Sequence, residues 1–314
     1  MKKLIVIIII SCLFVNSGNA QSETSSFERK IPTLNDHSFP SLDHFQNSFI
    51  STSLQANLGI GMTSPFSISG IQIDDHELFT FEGQLLFITM NIEYQQRFNP
   101  WLSLYFTIRL AGRVGTDMST ILLNGVNTVS GGDIGWLIRL KQSKKFNLST
   151  KVYIQKLSGN FINVAEYFEE VINDHPNPTV IKKVPAMYAG LGLVGAYAFN
   201  STFGLQFYGQ YSYGESFERG KTGGYMAAGI AGDVDFKPKH NAPLGLTLAY
   251  TLTGAPEVLM AESGSANLFS GKIGYTGSDE FELGLQYTFY KMNLESVDSK
   301  PYINTIVLLL KFYF

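Results

Sequence analysis

The sequence has few of the residues on which disulfide and metal sites depend. It contains one cysteine, Cys12, so no disulfide within the chain can contribute to its stability. It has five histidines, and the group of ligand-type residues at 74–77 consists of adjacent positions that lack the spacing of a metal site. The sequence therefore predicts no metal site and no cofactor.

An excess of basic charge is also missing. The chain carries 23 Lys and Arg residues against 26 Asp and Glu residues, for a formal net charge of −3. A nucleic-acid-binding protein would show a basic patch or stripe. We expect no nucleic-acid partner.

Long hydrophobic runs are scarce, and the single clear one spans residues 4–15. It follows Lys2 and Lys3 and precedes small residues that end at Ala20, which is the order of a secretory signal peptide. A membrane-spanning helix needs about 20 apolar residues, more than this run provides. We expect residues 1–20 to be a cleaved signal peptide.

An alternative makes Cys12 the lipidated residue of a lipoprotein processing site. Cleavage there would leave the apolar residues 13–15 at the start of the mature protein, where they have no evident role. Cleavage after Ala20 removes them, so the signal-peptide interpretation is preferred.

Hydrophobic residues elsewhere are dispersed by alternation, most clearly at 303–314. One face of this stretch carries Ile306, Leu308, Leu310, Phe312 and Phe314, and the other carries Thr305, Val307, Leu309, Lys311 and Tyr313. A period of two residues indicates a β-strand. An outward row this apolar, ending in an aromatic ring, is typical of a strand that meets lipid.

These residues resemble the closing strand of Gram-negative outer-membrane β-barrels, which ends in Phe preceded by alternate hydrophobic residues. The resemblance implies that Leu308, Leu310, Phe312 and Phe314 form the signal that the barrel-assembly machinery reads. It also implies an outer-membrane location, in contact with membrane lipid and lipopolysaccharide.

The same alternation recurs along the chain and predicts about twelve strands. They fall at 54–62, 78–98, 101–114, 133–141, 147–156, 187–199, 203–213, 224–236, 244–253, 267–276, 281–290 and 303–314. Two of them, 224–236 and 267–276, have few large apolar residues, so ten or fourteen strands are alternatives. The fold class is all-β, an antiparallel up-and-down transmembrane β-barrel.

The connections between these strands alternate between short and long. In outer-membrane barrels the short turns face the periplasm and the long loops face outward. We expect residues 21–48 to be a periplasmic segment that could fold into the barrel mouth, and residues 49–314 to form the barrel. The longest loop is predicted at 157–185.

The inward positions of the strands carry the charges that would line a pore. They are Glu93, Arg97, Arg109, Arg113, Arg139, Lys151, Asp233, Asp235, Lys272 and Glu282. The early strands are mainly basic and the later ones mainly acidic, which predicts a transverse field over the lumen, as in general porins. The alternative is that these charges pair with their neighbours inside a packed polar interior.

Tyrosines also occupy inward positions, at Tyr105, Tyr153, Tyr208, Tyr225 and Tyr290. Stacked rings would provide a path for sugars or aromatic solutes. The alternative, which we favour, is that they fill the interior with their hydroxyls hydrogen-bonded.

The long loop contains apolar residues at helical spacing between 163 and 174. This predicts a short amphipathic helix that packs over or into the mouth as a constriction or lid. The residues assigned to it are Tyr167, Phe168, Glu169, Glu170 and Asp174.

The function predicted from these features is passive diffusion of small polar solutes through a charged lumen. A structural or partner-docking barrel is the alternative, because the inward Val307 and Leu309 are apolar and suggest that part of the lumen is covered. A lipid hydrolase at the rim is a third hypothesis, resting on barrel size and on His76 and His175. Neither histidine lies in a pattern with Ser that matches outer-membrane phospholipases or lipid A deacylases, so we do not expect an enzyme.

Overall fold

A computed structural model of the chain describes residues 31–69, 72–73, 76–77, 80–114, 125–162, 167, 170–173, 175–215, 222–254, 266–292 and 302–314. The predicted signal peptide lies outside these residues. No helix among them is long and apolar enough to cross a membrane.

Twelve antiparallel strands form one closed barrel. They are β1 (Ser53–Thr63), β2 (Leu86–Asn99), β3 (Leu102–Val114), β4 (Gly125–Gln142), β5 (Phe146–Ile162), β6 (Ile181–Ala198), β7 (Phe203–Glu215), β8 (Thr222–Asp235), β9 (Leu244–Thr253), β10 (Ala266–Tyr275), β11 (Phe281–Met292) and β12 (Tyr302–Tyr313). Each strand pairs with its neighbours in sequence, and the predicted up-and-down barrel of twelve strands is confirmed.

The barrel closes where β12 pairs with β1. The register runs from Ile303 opposite Thr63 to Tyr313 opposite Ser53. Beyond the strands, the backbone N–H of Phe314 donates to the carbonyl of Thr52 at 3.0 Å. Closure leaves no unpaired sheet edge, which is the condition for a β-structure to cross lipid.

The strands show the burial pattern that the alternation predicts. In β1 buried and exposed residues alternate without interruption, and Leu58 on its outward face is 56% exposed. Leu308 is its exposed partner on β12, while the intervening Val307 and Leu309 are buried inside. The outward rows form an apolar belt around the barrel.

Aromatic side chains border this belt at the end where β1 begins and β12 ends, here called the terminal rim. Phe98, Trp101, Trp136, Phe199 and Phe314 are all exposed outward there. Rings at such a level are typical of the interface between lipid and water.

Short connections lie at the terminal rim and long ones at the opposite end, here called the loop rim. At the terminal rim, β2 and β3 are joined through residues 100–101, and β8 and β9 through 236–243, which include the one-turn helix Lys237–His240. At the loop rim, the connection from β1 to β2 contains the ribbon Phe66–Ser69 with Thr80–Gly83. A change in the phase of alternation predicts a bulge or an exit from the membrane near residues 84–86 within the segment 78–98. The structure divides there into two elements, of which only β2 belongs to the barrel.

The predicted loop at 157–185 is shorter in the structure. β5 continues to Ile162 and β6 begins at Ile181, and the two strands pair as far as these residues. The connection spans 163–180. The added residues pair through their backbones and lack an apolar outward row, so alternation could not identify them as strand.

The outward belt provides a test of membrane depth. Leu58→Arg, in the middle of β1, should lower the free energy of unfolding in phospholipid vesicles by roughly 2–4 kcal/mol, because an exposed cation at the bilayer midplane is costly. Leu140→Arg, equally outward but next to the terminal rim, should cost only about 0–1 kcal/mol. Urea titrations of both variants measure the difference, and equal effects would contradict the assigned depth.

Candidate functional site

The lumen on the terminal-rim side is occupied by residues 31–50, here called the plug segment. His37, Phe39, Leu42 and Phe49 are buried there, and His37 is completely inaccessible to solvent. A Cβ at Gly204 on β7 would lie 2.3 Å from the His37 ring, so only glycine leaves room for the segment at this position. The segment packs directly against the inner wall.

The incoming half of the plug segment is fixed by a buried ion pair. The ammonium group of Lys272 pairs with the carboxylate of Glu282 and donates to the carbonyl of Ser41. The N–H of Ser41 donates to the same Glu282 carboxylate at 2.7 Å. Backbone groups of Ser41 thus bond to both members of the pair, which helps to offset the cost of burying it.

The plug segment turns back at Asp43 and His44. His44 adopts φ 64°, and Leu42 and Phe45 form an isolated antiparallel bridge across the turn. Such a φ is uncommon for a residue other than glycine, so the turn must be stabilised by its contacts. It is the point of the plug segment that reaches furthest along the lumen, since His44 contacts Tyr290 near the loop-rim end of β11.

Asp43 is the centre of these contacts. Asn57 of β1 donates its side-chain amide to the carboxylate at 2.7 Å, and Asn91 of β2 does so at 3.4 Å. The His44 ring nitrogen Nε2 lies 2.9 Å from the other carboxylate oxygen. The Asp43 N–H donates to Gln286 of β11 at 2.9 Å, so the turn is bonded to three strands.

The returning half is held by amides and hydroxyls of the opposite wall. Asn147 and Ser149 of β5 both donate to the carbonyl of Ser48 at 2.6 Å. Gln95 of β2 donates to the carbonyl of Phe49 at 2.8 Å. The plug segment therefore contacts strands around the whole circumference of the lumen.

Burial and charge act in opposite directions on His37 and Asp43 of the plug segment. Burial lowers the pKa of His37 below its usual value of 6.5, outweighing the Ser201 carbonyl and Asp235, which raise it. Burial would raise the pKa of Asp43, but the charge of His44 and the hydrogen bonds from His44, Asn57 and Asn91 hold it well below its usual range. Folding therefore favours neutral His37 and ionised Asp43.

A charged passage runs beside the turn of the plug segment. The cavity there is lined by Glu93, Arg109, Lys151 and Lys311 from four different strands, together with Gln46, Asn47, Gln55, Asn91 and Gln210. The Arg109 guanidinium lies 3.1 Å from Asp133 of the neighbouring strand. Three cations against one lining carboxylate give the passage a basic surplus.

The charges predicted to line a pore divide into groups in the structure. Glu93, Arg109 and Lys151 meet in the charged passage. Lys272 and Glu282 pair under the plug segment. In the same region Asp233 accepts hydrogen bonds from Gln206 and Thr247, and Asp235 accepts one from Thr276. Arg97 and Arg139 lie near the terminal rim, and Arg113 lies near the loop rim.

The predicted separation into a basic arc and an acidic arc needs correction. Asp133 on β4 and Lys311 on β12 also face inward, and both lie among charges of the opposite sign. Arg109 with Asp133 and Lys272 with Glu282 are pairs between neighbouring strands. These two ion pairs are local, as the alternative interpretation expects, while Glu93, Arg109 and Lys151 also meet in the charged passage.

The inward tyrosines are spread through the interior. Tyr105, Tyr153 and Tyr208 belong to one buried cluster, in which the Tyr208 ring packs edge-on against Phe45 of the plug segment at 4.7 Å. Tyr290 bonds to His44, and Tyr225 packs edge-on against Tyr188 at 5.5 Å. They form no continuous stack among the described rings.

Part of the predicted constriction helix is described. Tyr167 and residues 170–172 are helical, and Glu170 forms an ion pair of 2.9 Å with Lys182 at the start of β6. Phe168, Glu169 and Asp174 lie outside the described residues.

Sequence reasoning selected Lys272 and Glu282 but missed the residues that hold the turn of the plug segment. The residues not selected are Asp43, Asn57, Asn91 and Gln286. Alternation places the three strand amides on the inner face but does not identify their partners. The signal available was the run of amides on the inward rows of β1 and β2, at Gln55, Asn57, Asn91 and Gln95. Such a run predicts a polar partner in the lumen but does not identify it.

No protein-family model and no curated protein sequence matches the chain. Among solved structures, the translocator domain of the autotransporter NalP from Neisseria meningitidis is similar, with a TM-score of 0.51 and 9% identity over 87% of this chain and 91% of that chain. For the NanC porin the TM-score is 0.45 and the identity 6%, over 84% of this chain and 100% of that chain. For a FadL homologue of Pseudomonas aeruginosa the TM-score is 0.42 and the identity 11%, over 84% of this chain and 90% of that chain. The similarity to the NalP translocator domain supports the fold of an outer-membrane β-barrel.

The contacts of Asp43 predict how firmly the turn of the plug segment is held. Asp43→Asn should lower the free energy of local opening of this segment by about 2 kcal/mol, because hydrogen bonds to a charged group are lost. Hydrogen exchange of the amides around Phe45 should accelerate about 30-fold. Asp36→Asn makes the same chemical change at the exposed turn of the segment and should leave the exchange unchanged. Similar rates in the two variants would refute the role of Asp43.

The lowered pKa of His37 predicts a pH dependence. Below pH 6.5 the released segment binds a proton that the docked segment resists, so docking is strongest above pH 6.5 and weakens as the pH falls towards the lowered value. Hydrogen exchange of residues 37–39, corrected for intrinsic rates, should accelerate between pH 7.5 and 5. His37→Phe, which cannot titrate, should abolish this change, and an unchanged pH profile in that variant would contradict the assignment.

Proposed function

We propose that this chain is an outer-membrane channel for small polar solutes, in which the plug segment regulates passage through a charged lumen. The observation that carries the proposal is the charged passage beside Asp43 and His44, lined by Glu93, Arg109, Lys151 and Lys311. Charged groups on an inner wall are expensive unless they are paired or solvated. A basic surplus beside the plug segment is expected where hydrated solutes pass.

The fold supports a location in the membrane. A closed barrel with an apolar outward belt satisfies its backbone within lipid and exposes no sheet edge. We propose the outer membrane of a Gram-negative bacterium, with the terminal rim in the periplasm. The start of β1, the end of β12 and the short connections all lie at that rim. The assembly signal proposed at Leu308, Leu310, Phe312 and Phe314 follows from the same orientation.

The plug segment makes the channel a gated one. Its contacts reach β1, β2, β5, β10 and β11, so the lumen on the terminal-rim side is filled while the segment is docked. The polar contacts among them are hydrogen bonds and an ion pair that water can replace. Release of the turn at Asp43 would join the charged passage to the terminal rim.

Conductance in planar bilayers tests the proposal. The wild-type protein should open rarely, and Asp43→Ala should raise the open fraction several-fold because the turn loses its anchor on β1 and β2. Asp36→Asn should behave as wild type. Baseline conductance in both the wild-type protein and Asp43→Ala, with the barrel intact by circular dichroism, would reject the channel and favour a structural or partner-docking barrel.

The basic surplus predicts ion selectivity. Lys151→Glu should shift the reversal potential in a salt gradient towards cation preference, because it reverses a charge inside the passage. Lys239→Glu changes the net charge equally but lies on the exposed one-turn helix at the terminal rim, and its effect should be much smaller. Equal shifts would place the selectivity outside the passage.

A further inference from the structure

The half of the lumen towards the loop rim differs in chemistry from the charged passage. Two neighbouring cavities there share Phe87, Ala111, Val129 and Ile303 in their walls. We call this space, bounded by these four residues, the apolar chamber. It begins directly above the turn of the plug segment.

Two buried hydrophobic clusters contribute walls to the apolar chamber, through Phe87, Tyr290 and Ile303 of one and through Val129 and Leu157 of the other. Phe87, Leu268, Tyr290 and Ile303 form one cluster on β2, β10, β11 and β12. Val129, Leu157, Ala186 and Tyr188 form the other on β4, β5 and β6. The interior of an outer-membrane barrel is ordinarily polar, so apolar residues on the inward rows of seven strands need a separate explanation.

The floor of the apolar chamber is polar. Asp43, His44, Asn57, Asn91 and Arg109 line the lower of the two cavities. Asp43 is engaged by His44, Asn57 and Asn91, whereas the side chain of Arg109, paired with Asp133, is 35% exposed. Arg109 also lines the charged passage, so it connects the two spaces.

We propose that the apolar chamber binds an amphiphilic carboxylate, with its apolar body between the two clusters and its carboxylate directed to Arg109. The proposal rests on the proposed channel function and names its solute class. An apolar body displaces water from apolar walls, which is favourable in proportion to the area covered. A carboxylate suits the guanidinium geometrically, and its negative charge is attracted by the basic surplus below it.

The geometry disfavours the two simpler solute classes. A sugar needs many hydrogen-bond partners, and above the polar floor the two cavities offer mainly apolar side chains, with Thr63, Thr89, Arg113, Asn127 and Thr305 as the polar exceptions. A wholly apolar solute would leave the charged groups of the floor and the passage without a role. A molecule with one apolar part and one anionic part matches both spaces.

Binding is measured on the whole protein in lipid nanodiscs, because detergents are amphiphiles and would compete. The probes are 1-naphthoate and its uncharged analogue 1-naphthalenemethanol, titrated by calorimetry against empty nanodiscs. Saturable binding of 1-naphthoate, tighter than that of the alcohol, is the expected result. Signals equal to those of empty nanodiscs would overturn the proposal.

Two matched variants locate the site. Ala111→Phe places a ring in the apolar chamber and should weaken 1-naphthoate binding at least tenfold. Ala56→Phe makes the same change on the lipid-facing side of β1 and should have no effect. Equal affinities in the two variants would overturn the assignment to the chamber.

A third variant tests the carboxylate contact. Arg109→Gln combined with Asp133→Asn removes the ion pair without leaving an unpaired charge. It should abolish the preference for 1-naphthoate over the alcohol while the alcohol still binds, and an undiminished preference would refute the role of Arg109. Because binding requires no transport, baseline conductance with intact binding would reject the channel alone, and conductance without binding would reject this proposal alone.

Discussion

The structure depends on the hydrogen-bonded closure of β12 on β1. In lipid an unpaired backbone N–H or C=O has no water to bond, so a sheet can cross only as a closed ring. Closure fixes which rows of side chains face lipid and which face the lumen. The inward rows then enclose polar groups that need partners, because unsatisfied buried polar groups are destabilising.

The plug segment supplies many of those partners. Its backbone carbonyls at Ser41, Ser48 and Phe49 accept from side chains of the wall, and its N–H groups at Ser41 and Asp43 donate to Glu282 and Gln286. An irregular peptide with exposed backbone groups is thereby stable inside the barrel. The same polar contacts are exchangeable with water, as the proposed gating requires.

Alternation predicted the barrel well because lipid imposes a strict requirement on every second residue. β9 was predicted at its observed bounds, and β12 within one residue at each end. The requirement lapses beyond the apolar belt. Strand residues such as Lys182 and Lys183 pair through their backbones without an apolar row, and they were taken for loop.

The interior was less predictable for a different physical reason. A polar side chain on an inward row has many possible partners, and register and barrel curvature decide among them. Arg109 meets Asp133 because β3 and β4 place them side by side, and Asp43 meets Asn57 and Asn91 because a turn in an irregular segment reaches mid-lumen. Neither contact follows from spacing along the chain.

The plug segment is joined to β1 through residues 51–52, and the N–H of Phe314 bonds to Thr52 at that junction. A released segment stays attached at the terminal rim. Its local concentration at the vacated site therefore remains high, in the millimolar range expected for a short linker. Recapture is then a unimolecular event whose rate is independent of how many copies the membrane holds. Opening would be brief and self-terminating, and its duration would be the time that the tethered segment takes to dock again in the lumen.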